Sequence, residues 1–164
     1  MVGKYVRLTD SYKSLNEALE HGGIFNDVNV NRVFVDADEL VGKDDLAPFF
    51  ENIDGILIPG GFGERGTEGK ILAAGYARRN RIPFFGICLG MQLAVTEFSR
   101  SLCSLTSANS KEFDPDTPDP VIDYLPGQKN ITRKGGTMRL GAYAVSYTHL
   151  RAHETPEHLV CRLL

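Results

Sequence analysis

Four times between residues 5 and 98, a short apolar run gives way to a segment with helical spacing. This alternation constrains the fold more than any other feature, because parallel strands need a crossover and a helix is the usual one. Residues 5–8 predict a first strand. Thr9, Asp10 and Ser11 offer capping side chains, and Leu15, Ala18 and Leu19 repeat at i, i+3 and i+4. His21-Gly22-Gly23 predicts the helix end, with His21 near the negative end of the dipole. Residues 28–36, VNVNRVFVD, are rich in β-branched residues and predict a second strand ending at Asp36. Residues 38–52 predict a loop and a short helix with Leu46, Phe49 and Phe50 turned inward. Strands at 55–58 and 83–87 and helices at 68–80 and 89–98 complete the alternation. The run 83–87 is apolar throughout, as in a strand covered on both faces. An α/β domain is expected, its mostly parallel sheet carrying helices on both faces and its ligand beyond the strand C-termini.

Two strand ends carry residues suited to chemistry. Gly86-Ile87-Cys88-Leu89-Gly90 stands between a strand and a helix, where a tight turn pushes the central side chain out of the sheet and small flanking residues let the backbone turn. Cys88 would face the N-terminus of the following helix, whose dipole favours a thiolate. A lone cysteine is otherwise more often a buried core residue. Pro59-Gly60-Gly61 ends the neighbouring strand. Such a turn can aim a backbone N–H at a developing oxyanion, with the N–H of Leu89 as second donor. On its own it would read as an ordinary βα turn; beside the cysteine it reads as half of an oxyanion hole.

Composition excludes several other classes. The chain has 164 residues, 18 Lys+Arg against 21 Asp+Glu and a net charge of -3, with no basic run to attract nucleic acid. Three cysteines, Cys88, Cys103 and Cys161, show no CxxC pairing for zinc or redox work, so no metal site is expected. Their odd number fits a reducing cytoplasm. No apolar stretch is long enough to span a membrane, and the N-terminus lacks the apolar core of a signal peptide. Pro115, Pro118, Pro120 and Pro126 predict that residues 109–128 are extended and looping. Residues 135–141 read as a turn leading into a strand.

Ile58-Pro59-Gly60-Gly61-Phe62-Gly63, then Arg65-Gly66 and Glu68-Gly69, then Phe85-Gly86-Ile87-Cys88-Leu89-Gly90-Met91-Gln92, resemble the glutaminase domain of class I glutamine amidotransferases. Val2-Gly3-Lys4-Tyr5, Asp10-Ser11-Tyr12-Lys13-Ser14, Glu17-Ala18-Leu19, Ala108-Asn109-Ser110, Glu112-Phe113 and Gly135-Gly136-Thr137-Met138-Arg139-Leu140-Gly141 narrow the resemblance to the CTP synthase family. The resemblance implies a flavodoxin-like, doubly wound α/β fold. It also implies that Cys88 attacks the side-chain amide of L-glutamine to form a glutamyl thioester, with Gly61 and Leu89 as oxyanion donors. Gly61, Leu89, Gly90, Met91, Gln92 and Glu112 are then the glutamine-binding residues, Glu112 suiting the substrate's α-ammonium. Thr137 and Arg139 fall on a lid segment linked in the family to activation by GTP. The freed ammonia would pass to a synthetase domain that activates UTP with ATP and Mg²⁺ and yields CTP. No cofactor is expected within this chain, and the full-length enzyme is expected to be a homo-oligomer, a tetramer.

The pattern departs from the family after residue 144. The family supplies a His and, two residues later, a Glu as the general base. Here His149, His153 and His158 are followed at that spacing by Arg151, Thr155 and Val160. Residues 145–164 resemble the translation of a sequencing adapter joined in frame. The expectation is a partial domain over 1–144 and a foreign tail over 145–164. This truncated form should be inactive by itself and should leave apolar faces bare. A non-catalytic glutamine-binding or regulatory module and a different class I amidotransferase are the alternatives. A cysteine hydrolase on an α/β-hydrolase-like sheet fits Gln92, Glu112 and the Pro-Gly-Gly turn less well.

Overall fold

The structure is a computed structural model in which residues 1–4, 6 and 9–124 are described. In chain order the elements are β1 (Val2–Gly3), a 3-10 turn (Thr9–Tyr12), α1 (Lys13–Phe25), β2 (Val35–Asp36), α2 (Ala37–Leu40), a second 3-10 turn (Ala47–Phe49) and β3 (Ile56–Ile58). Then follow α3 (Thr67–Asn80), β4 (Phe84–Gly86), α4 (Leu89–Leu102), β5 (Asn109–Ser110) and β6 (Pro120–Ile122). Every strand pairing among the described residues is parallel. β1 pairs with β2 and lies alongside β3, which pairs with β4 through Ile56↔Phe84, Leu57↔Phe85 and Ile58↔Gly86. The spatial order is therefore β2-β1-β3-β4, the doubly wound arrangement in which a ligand sits beyond the strand C-termini. No helix of the described residues is long and apolar enough to cross a membrane.

The core sits between this sheet and α3. Val2, Val35, Leu40, Leu46, Phe50, Ile56 and Ile58 bury against Ala73, Ala74 and Ala77 of α3, whose small side chains let the helix lie close to the strands. The opposite side of α3 meets α4, where Ile71 packs on Leu89 and Leu93 with Phe113 beside them. Glu97 of α4 is 5% exposed and crosses to α3. Arg78 Nε and Nη2 donate to its carboxylate at 3.0 and 2.8 Å, and Ser101 Oγ donates at 2.8 Å. Burial pushes the Glu97 carboxyl up, but these hydrogen bonds, with the charges of Arg78 and Arg79, hold it below the usual range.

Five local expectations change. The described first strand is Val2–Gly3; of residues 5–8, only Val6 is described, and it lies in a turn. Helix α1 begins after a 3-10 turn with Tyr12 at its N-cap and no side-chain cap. It runs through Gly22-Gly23 to Phe25, because Gly23 serves contact rather than termination: a Cβ on Gly23 would lie 2.7 Å from the Val28 carbonyl oxygen. The second strand shrinks to Val35–Asp36, since its partner β1 is equally short, and Val28, Val33 and Phe34 are exposed. Phe85 in β4 is 62% exposed, because β4 pairs only with β3 among the described strands and its outer face is uncovered. Helix α4 continues to Leu102, tied at its end by Arg100, whose Nε donates to the Ala108 carbonyl at 2.7 Å and whose Nη1 meets Glu68 at 3.0 Å. Leu46, Phe49 and Phe50 turn inward as expected.

Candidate active site

Cys88 stands between β4 and α4 with φ 52 and ψ -110, a positive φ that a residue with a Cβ rarely adopts. The elbow is seated by close contacts. A Cβ on Gly90 would overlap the carbonyl oxygen of Ile58 in β3, and one on Gly86 would come within 2.6 Å of Gly90 and Met91 backbone atoms. The Ile87 N–H donates to the Ile58 carbonyl at 3.0 Å, which fixes the elbow to the strand that carries Pro59-Gly60-Gly61. The Gln92 N–H donates to the Cys88 carbonyl at 3.1 Å, so Cys88 caps α4. Its side chain is exposed. This is the strained strand-to-helix turn that presents a nucleophile.

The Pro-Gly-Gly turn lies against this elbow. A Cβ on Gly60 would sit 3.4 Å from Cys88 Cβ, and one on Gly61 would sit 3.8 Å from Leu89 Cδ2. Leu89 is the first residue of α4, where the helix itself offers no acceptor to the backbone N–H. Gly61 and Leu89 are thus brought together beside the cysteine. Gln92 follows one turn along α4, half-buried, while Met91 is 53% exposed. Glu112 is in the turn after β5, its N–H donating to Ser110 Oγ at 3.2 Å. The next residue, Phe113, packs on the Ile71, Leu89 and Leu93 cluster, which attaches this turn to the first half of α4. Cys103 ends α4, exposed and in ordinary backbone conformation. Thr137, Arg139, Cys161, the three downstream histidines and the tail from 145 lie outside the described residues.

One charged residue at this site is absent from the sequence-based set. Lys70, in the first turns of α3, is 1% exposed, and its Nζ lies 4.0 Å from the position a Cβ on Gly61 would occupy. Burial, then the charge of Lys4, push its ammonium down to about 8, and Asp38 pulls it partly back. Lys4 donates from Nζ to the Phe62 carbonyl in the same turn. Arg65 Nε meets Asp38 at 2.8 Å. A signal for Lys70 exists in the sequence. It shares the i, i+3, i+4, i+7 stripe of α3 with Ala73, Ala74 and Ala77, so a lysine interrupts an otherwise apolar face.

The family model for glutamine amidotransferase class-I matches residues 7–161. The chain belongs to that family. Among its class-I amidotransferase relatives, the CTP synthase of Syntrophus aciditrophicus is 64% identical over 143 residues, 87% of this chain and 26% of that protein. Those of Clostridium kluyveri and Geobacter sulfurreducens are 59% and 58% identical, over 87% and 90% of this chain and 26% and 27% of theirs. The chain therefore spans about a quarter of the length of these curated relatives. The solved glutaminase domain of Trypanosoma brucei CTPS, with bound acivicin, superposes with a TM-score of 0.73 at 41% identity, over 79% of this chain and 50% of that one. The chain thus has the α/β fold of its family, with parallel strands as expected. Its family match reaches into 145–164, whereas the alignments to these three relatives span 143 to 148 residues.

Proposed function

We propose that the chain is the glutamine-cleaving part of a CTP synthase. Cys88 is the nucleophile, and the backbone N–H groups of Gly61 and Leu89 receive the oxyanion. The thiolate attacks the side-chain amide carbon of glutamine, the nitrogen of the tetrahedral oxyanion takes up a proton from solvent, and collapse expels ammonia and leaves the glutamyl thioester on Cys88. Gln92 and Glu112 hold the amino-acid end of the substrate. The observation that carries this reading is the strained Cys88 elbow packed directly on the Gly60–Gly61 turn. Sequence similarity to CTP synthases selects this branch of the family.

In the longer protein the ammonia would serve amination of UTP to CTP by a synthetase domain using ATP and Mg²⁺, with GTP activating through the segment of Thr137 and Arg139. The described residues hold no group of three or more His, Cys, Asp or Glu that could hold a metal ion. No histidine in the 164 residues has a Glu two positions later, and steady turnover by the chain alone is accordingly expected to be absent. Residues 145–164 are read as lying outside the functional domain.

Acivicin, an electrophile that mimics glutamine, tests the assignment. Incubation followed by peptide mass spectrometry should place one adduct on Cys88, suppressed by excess L-glutamine, with Cys103 unmodified. Equal modification of Cys88, Cys103 and Cys161, or no protection by glutamine, would remove the assignment.

A further inference from the structure

Lys70 is a buried cation without a role in the scheme above. Its side chain runs from α3 toward the Pro-Gly-Gly turn, 1% exposed, and among the described residues its Nζ makes no hydrogen bond. That ammonium lies 4.0 Å from the notional Cβ of Gly61. Leu89 Cδ2 lies 3.8 Å from the same notional Cβ. The ammonium and the first residue of the elbow helix therefore both lie beside Gly61. Lys4 is tied to the same turn, donating to the Phe62 carbonyl. The one carboxylate of α2 that influences Lys70, Asp38, is engaged by Arg65 at 2.8 Å.

A lysine in such a place is costly for folding, since burying an ammonium without a carboxylate contact of its own is unfavourable. An alanine or leucine would continue the apolar stripe of α3. The charge thus opposes packing, while its position favours negative charge beside Gly61.

We propose that Lys70 is a positioning residue that stabilises the oxyanion through the Gly61 peptide, supplying positive potential from behind the turn without touching substrate. This rests on the assignment of Gly61 and Leu89 as oxyanion donors. It predicts that Lys70 matters only when charge develops on the attacked oxygen. Binding of glutamine in its ground state and alkylation of the thiol without an oxyanion should be nearly independent of it.

L-glutamate γ-semialdehyde isolates the charge-developing step. The Cys88 thiolate bonds to the aldehyde carbon and the C=O π pair moves to oxygen, which remains as the alkoxide, the thiol's proton having gone to solvent. The product is a reversible hemithioacetal whose oxygen occupies the oxyanion position. Its dissociation constant is compared between the unaltered chain and Lys70→Met in one buffer, where the ring–chain equilibrium of the probe cancels in the ratio. Glutamine binding and iodoacetamide alkylation of Cys88 are measured alongside.

The expected result is a hemithioacetal weakened at least about tenfold in Lys70→Met, with the other two quantities changed by no more than about twofold. Equal weakening of all three would make Lys70 a structural residue only, and an unchanged hemithioacetal would remove its role; either overturns the inference while leaving the Cys88 assignment intact. Failure of the unaltered chain to form the adduct at Cys88 would instead overturn the oxyanion assignment, and this inference with it. Lys70→Gln, read in the same way, decides the question if Lys70→Met does not fold.

Discussion

Residues 13–36 and residues 56–102 use the same elements, strand and helix in alternation, but they are seated differently. Helix α3 buries Thr67, Gly69, Lys70, Ile71, Ala73, Ala74, Gly75 and Ala77, whereas α1 buries only Gly23. Near α1, Ile24 is 73% exposed and Phe25 88%, and β2 is two residues long. The half that holds the cysteine is enclosed by neighbours on two sides. A nucleophile held at an unfavourable φ needs a rigid surround, because strain of this kind persists only where other contacts enforce it. The difference teaches that packing in this chain is concentrated where the elbow must be held.

The strongest way to break the contrast is Gly90→Ala. The added methyl meets the Ile58 carbonyl in β3, a backbone atom with no freedom to withdraw. A loss of about 3 kcal/mol is expected from such overpacking, read as a lower urea midpoint with an unchanged slope. A loss below about 1 kcal/mol would show that β3 and α4 are not rigidly apposed.

Lys70 sharpens the contrast from the electrostatic side. Its ammonium is held near 8 against an ordinary 10.5, so between those values the unfolded chain binds more protons than the folded one. Stability should therefore rise as pH increases through that window, and below it the buried charge should destabilise by a few kcal/mol, about 3. Lys70→Met should raise stability at pH 7 by about 2–3 kcal/mol and flatten the alkaline rise. Denaturant midpoints at pH 7 and pH 10 test both statements. A variant less stable than the parent at pH 7 would show that the ammonium has compensating contacts.

These two positions also show how much of the molecule is legible in its sequence. The elbow was legible because a small-residue flank around Cys88 between an apolar run and a helix has few other physical uses. Gly86, Gly90 and the Ile58 contact answer to it directly. The alternation from 56 to 102 was legible because buried strands and helices of this length have clear periods. The segment 28–36 was misread because β-branched composition does not supply a partner. Val35 donates to the Met1 carbonyl at 2.9 Å, and β1 then ends, so the ladder cannot extend. Lys70 was overlooked because a charge at a helix start is ordinarily solvated, and only its stripe-mates reveal which way it faces.

A smaller effect is expected at the nucleophile itself. Cys88→Gly removes the Cβ that makes φ 52, ψ -110 unfavourable, and should stabilise the chain by about 1–2 kcal/mol while abolishing labelling by acivicin. No gain in the melting temperature would mean that the conformation carries little strain.

The smallest expected change lies in the loosely seated half and depends on two adjacent glycines. A Cβ on Gly22 meets nothing within 4 Å, and the residue is inside α1. Gly22→Ala should therefore stabilise by about 0.5–1 kcal/mol, by lowering the freedom of the unfolded chain and favouring the helix. Gly23→Ala, one residue on, should do the reverse. Its methyl would approach the Val28 carbonyl oxygen to 2.7 Å and disturb the hydrogen bond, 2.9 Å long, from the Val28 N–H to the Gly23 carbonyl. Opposite signs in thermal unfolding would show that Gly22-Gly23 marks a crossing of chains with only one crowded position. Equal gains from both would mean that Val28 yields to the methyl, and that residues 26–34 rest on α1 even more loosely than their exposure indicates.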